Sequence, residues 1–358
     1  KAHSSQQHLF KSKTMNYVRA WLFLLLCLVF IMVIVGGLTR LTDSGLSITE
    51  WKPITGALPP LSAQGWLIEF QKYQDIPEFK LQNSEMTLSE FKVIYWWEWG
   101  HRQLGRVIGL TWGIGFLLLL FFRKFNAEPV WPSFLIGCLI GLQGAIGWWM
   151  VSSGLDGEML DVLSYRLAIH LLTAFIILSI IYWRILHINY ADKKPSLTVQ
   201  NNQFFYLITI LLLCILYTQI FSGALVAGID AGQAYNEWPL MNGQILPSES
   251  FDLKPFWLNF IDNTALVQFN HRMLAYSLFF LALLFFIAAR LTKETLFIKQ
   301  ANYLILVTFF QMTLGIVTVL NNSTLIFAAL HQIGGMVFLI VVINTLFKVS
   351  NQKKSESK

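Results

Sequence analysis

Eight apolar stretches, each long enough to cross a bilayer, leave this chain few alternatives for its fold. A hydrocarbon core of about 30 Å is crossed by ~20 mostly apolar residues in an α-helix. The composition agrees, because 55% of the 358 residues are hydrophobic, 13% are charged and the mean hydropathy is +0.55. We predict an all-α polytopic membrane protein with spans at roughly 19–38, 101–122, 132–151, 167–187, 204–228, 266–289, 302–320 and 325–347.

The distribution of charge predicts the orientation of these spans. Most of the 26 lysines and arginines fall in segments on one side, and most of the 20 acidic residues fall on the other. Positively charged loops tend to stay in the cytoplasm. Both termini are therefore expected inside, with tails over 1–18 and 349–358. The net charge of +6 reflects this topology and indicates no nucleic-acid partner.

The second half of the chain repeats landmarks of the first. Asp43 and Glu50 follow the first span, and Asp230 and Glu237 follow the fifth with the same seven-residue step. Three further landmarks recur in the same order. Spans 2 and 6 contain His101-Arg102 and His271-Arg272, and spans 3 and 7 contain Gln143 with Gly147 and Gln311 with Gly315. Spans 4 and 8 contain His170 and His331. The chain therefore contains an internal duplication.

Each repeat holds four spans, so both repeats enter and leave on the same side. We predict two tandem four-helix bundles, at 19–190 and 204–348, joined by an inner linker at 191–203. A pseudo-twofold axis along the membrane normal is expected to relate them. Ligand sites in such bundles lie in the core, between facing helices.

Four histidines lie near the outer ends of alternate spans: His101, His170, His271 and His331. Ionisable residues within spans are rare and usually functional, and imidazole is the commonest metal ligand. Two imidazoles per bundle suit a haem iron, whereas zinc usually takes three or four protein ligands. We predict one iron site in each bundle. The alternative is interfacial histidine bonded to backbone or lipid phosphate.

The three cysteines, Cys27, Cys138 and Cys214, lie within predicted spans, and the chain contains no CxxCH motif. Any haem is therefore expected to be held without thioether links. Four arginines lie at the level of the histidines, as possible contacts for haem propionates: Arg102, Arg106, Arg166 and Arg272. A guanidinium group can bind a carboxylate through two parallel hydrogen bonds. The alternative is ordinary interfacial arginine.

Glu98 precedes His101 by three residues, so both lie on one face of a helix. The repeat places Gln268 at the matching position before His271. A neutral amide in one repeat argues against paired di-metal carboxylate centres, which need Glu-x-x-His on two helices. We expect acid-base or charge-stabilising chemistry in the first bundle and electron transfer in the second. Alternatively, Glu98 faces water at a helix start.

A long polar segment, 39–95, follows the first span, and its part from Gln64 to Glu90 is expected to be locally helical. Its tryptophans, together with those at the start of span 2, fit an interfacial aromatic belt. The segment is interpreted as an anchor at the bilayer surface, with a lid over the first site as the alternative.

Several motifs together resemble the haem A synthase family, in its proteobacterial and mitochondrial branch. They cover the chain from Gly36 to His331: Thr39-Arg40-Leu41-Thr42-Asp43-Ser44-Gly45-Leu46-Ser47, Glu98-x-x-His101-Arg102, Tyr165-Arg166-Leu167-Ala168-x-His170 and Gln268-Phe269-Asn270-His271-Arg272. The chain lacks the outer-loop cysteine pair of another bacterial branch, so no thiol-disulfide role is carried over.

The resemblance implies an oxidoreductase that converts one methyl group of haem O to a formyl group, giving haem A for terminal oxidases. It implies that His101 and His170 bind the substrate haem, that His271 and His331 bind a resident haem b, and that Glu98 is the catalytic carboxylate. The reaction is expected to proceed by successive hydroxylation, through a cation or an iron-oxygen species.

The resemblance also suggests partners and a location. Haem O brings a farnesyl tail, and a haem O synthase, an electron-transfer partner and a homo-oligomer are possible. A bacterial plasma membrane is favoured over a mitochondrial inner membrane. Two alternatives stay open from the residues alone: a di-haem b-type electron-transfer cytochrome, and a haem carrier.

Overall fold

The computed structural model describes residues 2–125, 129–155, 159–192 and 203–351. Within these ranges the chain is helical, and eight of its helices are long and apolar enough to cross a membrane. This confirms the predicted fold class and the eight spans. Of the predicted termini and linker, residue 1 and residues 193–202 and 352–358 lie outside the described part.

Helices are numbered here in chain order. The eight spans lie in α1 (Ala2–Leu41), α4 (Leu88–Phe121), α5 (Trp131–Val151), α6 (Ser164–Asp192), α7 (Gln203–Gly228), α10 (Thr264–Thr292), α11 (Thr295–Leu320) and α12 (Leu325–Ser350). Four short helices occupy the connecting segments: α2 (Ala63–Gln74), α3 (Pro77–Leu81), α8 (Ala231–Ala234) and α9 (Asn259–Asp262).

Helix α4 begins well before the apolar run that predicted its start. Thr87 caps it, because its Oγ1 accepts from the Glu90 backbone N–H while the Glu90 carboxylate accepts from the Thr87 N–H, at 2.8 Å. This reciprocal cap starts the helix at Leu88, outside the apolar stretch. His101 therefore lies nearly four turns into its helix, rather than in the first two turns as the apolar pattern indicates.

The described chain divides into two compact units, Lys1–Ile181 and Tyr182–Lys358. The division falls within α6, before the predicted linker. In the first unit α4 packs against α1, where the Trp21 indole N–H donates to the Thr111 carbonyl at 3.0 Å. It also packs against α5, where the Trp112 indole donates to the Ser133 carbonyl at 2.9 Å.

The outer segment of the first unit has a hydrophobic core of its own. Helices α2 and α3 confirm the local helicity expected between Gln64 and Glu90. Their side chains pack on the outer end of α4, around a buried cluster of Leu46, Tyr73, Ile76, Phe91, Tyr95, Val151 and Val162. Trp66 of α2 contacts Tyr95, with ring centroids 5.0 Å apart. This segment is therefore seated on the helix that carries Glu98 and His101.

The second unit is a four-helix bundle. Each of α7, α10, α11 and α12 packs against two others, so that α10 and α12 face each other across the bundle. Asn263 caps α10 by accepting from the Leu266 N–H at 3.0 Å. This cap starts α10 at Thr264, seven residues before His271.

Candidate functional site

Every one of the four predicted histidines packs against a glycine on a neighbouring helix. The pairs are Gly36 with His101, Gly147 with His170, Gly223 with His271, and Gly315 with His331. A Cβ at the last three glycines would lie 2.9 Å from the ring Cε1, and one at Gly36 would lie 3.1 Å from the ring Nε2. A side chain at any of the last three glycines would therefore force a shift of the ring, and one at Gly36 would crowd His101.

In the second unit the structure brings His271 and His331 together. Their ring centroids are 6.3 Å apart and the ring planes meet at 74°. Metal–imidazole bonds are about 2 Å long, so two rings on opposite sides of one metal have centres about 6 Å apart. The observed separation therefore fits one iron held between the two histidines.

Glutamines orient both of these rings. The Gln311 side-chain amide donates to the His331 carbonyl at 2.9 Å and lies 3.3 Å from the ring Nδ1. The Gln219 amide lies 3.1 Å from Nε2 of His271. The buried Nδ1 of His271 has no hydrogen-bond partner in the described part of the chain. Such an orphaned nitrogen is expected where a ligand completes the site.

The first unit repeats this arrangement around His170. The Gln143 amide donates to the His170 carbonyl at 2.9 Å, as Gln311 does to His331. The buried Nδ1 of His170 likewise has no partner among the described residues. Like His331, His170 also packs against a glycine of the preceding span, Gly147. That His101 and His170 share one iron stays a prediction.

Other metal chemistries find no support among the residues described. No cluster of three or more histidine, cysteine, aspartate or glutamate side chains forms there. Zinc and di-metal carboxylate centres need such clusters, whereas haem needs one or two axial ligands. The donor set therefore fits haem in both units.

Glu98 is buried beside the first pair, with 2% of its surface exposed, and not at a water-facing helix start. Its Oε2 accepts from the Ser47 hydroxyl at 2.7 Å and the Ile48 N–H at 2.6 Å. Its Oε1 accepts from Nε and Nη2 of Arg102, one turn along α4. Four hydrogen bonds, two of them from the cationic guanidinium of Arg102, thus favour the ionised form of this carboxylate over the neutral one.

Arg102 connects this carboxylate to the loop after α1. Besides Glu98, it donates to the carbonyls of Ile48 at 2.7 Å and Glu50 at 2.9 Å. Beyond the spans, hydrogen bonds from Lys52 and Lys72 lower the pKa of Glu50. The loop is thereby held against α4 by a chain of charged groups that ends at Glu98.

The matching position in the second unit has the opposite hydrogen-bond polarity. Gln268 accepts from Arg272 at 3.0 Å, as Glu98 accepts from Arg102. Its amide then donates to the carbonyls of Ala231 at 3.0 Å and Tyr235 at 3.1 Å. Glu98 faces two donors where Gln268 faces two acceptors. Each loop therefore suits only the side chain it has.

The four arginines at this level bind backbone carbonyls. Arg106 donates to Lys52 and Pro53, Arg166 to Trp149 at 2.6 Å, and Arg272 to Tyr235 and Leu240. Arg102 and Arg106 also line a cavity of about 310 Å³, together with residues of the loop after α1 and of α2. Contacts between these arginines and haem propionates stay a prediction. A propionate would have to share the arginine N–H donors with these carbonyls or take their place.

Sequence reasoning missed the glycine partners of the histidines and the loop donors to Glu98. A signal for two of the glycines was present, because Gln143 and Gly147, like Gln311 and Gly315, are four residues apart and share a helix face. Ser47 and Ile48 had no such signal. They reach Glu98 through closure of a loop, across about fifty residues.

Comparison with known proteins covers nearly the whole chain. The family described as "Cytochrome oxidase assembly protein" matches residues 19–343. A protein of Dinoroseobacter shibae named "Heme A synthase" is 51% identical over 335 residues, which are 92% of this chain and 87% of that protein. A protein with the same name from Roseobacter denitrificans is 46% identical, over 92% of this chain and 87% of that protein. Another from Paracoccus denitrificans is 45% identical, over 91% of this chain and 86% of that protein.

Proposed function

This chain belongs to the cytochrome oxidase assembly protein family, and from that premise we propose that it is a haem A synthase. It is an enzyme of the membrane that acts on haem O and makes haem A. The observation that carries the proposal is the chain-long similarity to proteins of that name; four histidines that pack against glycines and the buried carboxylate of Glu98 support it within the described residues. The relatives are bacterial, so the membrane is the plasma membrane.

The two units are assigned different haems. His101 and His170 bind the iron of the substrate haem O, and His271 and His331 bind a resident haem b. Haem b supplies one-electron redox chemistry when bound. The assignment is supported by Glu98, a carboxylate paired with Arg102 beside the first pair, whereas the matching Gln268 offers Arg272 only a neutral amide.

Glu98 acts through its charge. Oxidation at the methyl carbon of haem O withdraws electrons and develops positive charge there, and a fixed carboxylate in a water-poor site stabilises such charge. Four hydrogen-bond donors occupy both oxygens of Glu98. Accepting a proton would require the Ser47–Ile48 loop to release it first. Electrostatic stabilisation therefore fits the geometry better than general-base catalysis.

The chemistry proceeds by two hydroxylations of the same methyl group. The geminal diol that results loses water to give the formyl group. The haem sites lie toward the outer leaflet and both termini are cytoplasmic, as supported by the excess of lysine and arginine in the segments placed inside. A haem O synthase supplies the substrate, whose farnesyl tail stays in lipid. An electron acceptor and a homo-oligomer complete the proposal.

The decisive experiment is Glu98→Gln, with Glu69→Gln of the outer segment as the matched loss of a carboxylate. Bound pigments are extracted from the purified proteins and identified by mass. We expect the Glu98 variant to hold haem b and haem O but no haem A, and the control to yield haem A. Glutamine keeps the bond to its arginine, as Gln268 does with Arg272, although it cannot accept from both Ser47 and Ile48.

Each other outcome has a definite meaning. A purely structural role for Glu98 predicts that haem O and haem A are lost together. Normal haem A formation by the variant removes the catalytic assignment. Two haems b per wild-type chain, with no haem O or haem A, would instead identify an electron-transfer cytochrome.

A further inference from the structure

A cavity of about 350 Å³ lies on the flank of α7 and α10, beside the His271–His331 pair. Asn270 precedes His271, and Ser222 precedes Gly223, the glycine that seats His271. Neither His271 nor Gly223 lines the cavity, so it occupies the adjoining helix faces. Its volume is within the range of small-molecule sites, about 300–1,000 Å³.

The hydroxyl of Ser222 identifies this cavity as a binding site. Ser222 lines it and is 7% exposed, and its buried Oγ has no hydrogen-bond partner in the part of the chain described. Serines and threonines in spans usually bond to the carbonyl four residues back. At the cavity mouth, Thr218 does so with Cys214 at 3.1 Å and Ser277 does so with Met273 at 2.9 Å. Ser222 alone of these three makes no such bond, and a buried hydroxyl left unpaired costs stability.

The rest of the lining restricts the chemistry of that molecule. The walls are apolar, with two aromatic rings, Phe221 and Phe260, and the Asn270 amide adds a second donor. The lining residues carry no charge over the ranges described. A lipid acyl chain would leave the Ser222 hydroxyl unpaired, and an anionic head group would find no cation. A flat, neutral ring with carbonyl oxygens and an apolar tail matches the donors, the rings and the lipid-facing mouth.

We propose that this cavity binds the head group of a membrane quinone. The proposal rests on the proposed function, because that reaction needs an electron acceptor. With water as the oxygen source, conversion of the methyl group to a formyl group forms a C=O bond and releases four electrons and four protons. Two quinones take them up, and each becomes a quinol as its two carbonyls become hydroxyls. Ser222 and Asn270 hold the ring through these carbonyls.

Photoaffinity labelling tests the site directly. The full-length protein in phosphatidylcholine nanodiscs is labelled with an azido-ubiquinone, in competition with decylubiquinone, and the labelled peptides are mapped by mass spectrometry. We expect competed labelling within 218–225 and 267–277. Ser222→Ala should weaken competition about threefold to tenfold, as one hydrogen bond does. Ser222→Leu should abolish labelling by filling the cavity.

Ser277→Leu is a second variant whose new side chain should fill the same cavity. It leaves Ser222, the neighbour of Gly223, unchanged. Thr313→Leu is the matched control, because Thr313 is exposed on α11 and does not line the cavity. Labelling that decylubiquinone does not displace, or that persists in both blocked variants, would overturn the quinone site. So would labelling displaced only by oleate or by haem O, since the cavity would then hold a lipid or farnesyl chain.

Pigment analysis of the same samples separates this proposal from the function on which it rests. Haem A without competed labelling would overturn the quinone site and leave the enzyme assignment standing. Competed labelling without haem A would support the quinone site and reject the enzyme assignment.

Discussion

A single methyl group at Gly315 should weaken the binding of the haem b proposed for the second unit. In Gly315→Ala the new Cβ would lie 2.9 Å from the His331 ring, whereas carbon atoms in contact prefer about 3.5–4.0 Å. The ring must therefore move by roughly 0.6–1.1 Å. It cannot do so freely, because Gln311 holds both its backbone carbonyl and its Nδ1 edge.

Overpacking of this kind costs about 1–3 kcal/mol. At about 1.4 kcal/mol per factor of ten, the affinity for haem b should fall about 5-fold to 150-fold. A displaced His331 imidazole would also no longer match the spacing to His271 that suits one shared iron. Loss of haem and an altered spectrum of the remaining haem are both expected.

The assay is haem b per chain in the purified protein, titrated with added haem, together with the reduced visible spectrum. Gly335→Ala is the matched control, since it lies in the same bundle and its Cβ would make an ordinary 3.7 Å contact with Gln311. Both variants gain the same helix propensity. If Gly315→Ala bound haem b with wild-type affinity and showed the wild-type spectrum, the position of His331 would not depend on its close packing against Gly315.

Three further predictions concern the outer segment and the loops over the two sites. Burial raises the pKa of Glu78 from its ordinary 4.5 to about 8, so the outer segment is most stable with Glu78 protonated. Up to about 5 kcal/mol of that stability is lost as pH rises from about 4.5 to about 8; limited proteolysis of the outer segment should accelerate across this range in wild type and in the exposed control Glu85→Gln, but not in Glu78→Gln. Ser47→Ala removes one donor to Glu98 and should slow haem A formation about threefold to tenfold without loss of haem O, and an unchanged rate would show that this donor is dispensable. Gln268→Glu would set a carboxylate against two carbonyls, so unit 2 should melt at lower temperature; an unchanged melting temperature would contradict the polarity argument.

The fold was predictable to the extent that lipid selects apolar residues. All eight spans follow from hydropathy, because each backbone in lipid must be helical and each surface apolar. Hydropathy says nothing about where a helix continues into water. The start of α4 at Leu88 depends on the Thr87–Glu90 cap, and the residues before His101 pack on an outer hydrophobic cluster instead of lipid.

The candidate site was predictable where the duplication exposed it. Recurrence at matched positions separated His101, His170, His271 and His331 from the other three histidines. Gly147 and Gly315 also recur at matched positions. Their role in packing against a histidine ring depends on the distance between two helices, which the sequence alone does not contain. The donors to Glu98 lie in a loop whose closure depends on the packing of the whole outer segment.

The difference between the units explains why one repeat can be catalytic and the other not. Ile48 and Tyr235 lie at the same step after Asp43 and Asp230, and both carbonyls accept from the arginine of the facing helix. At Ile48 the loop also donates its N–H to Glu98, so the side chain one turn before Arg102 must accept a hydrogen bond there. At Tyr235 the carbonyl accepts from Gln268 as well as from Arg272, so the matching side chain must donate. The backbone of each loop thus favours an acceptor in the first unit and an amide donor in the second, and a change to either side chain must contend with that backbone before it can alter the chemistry.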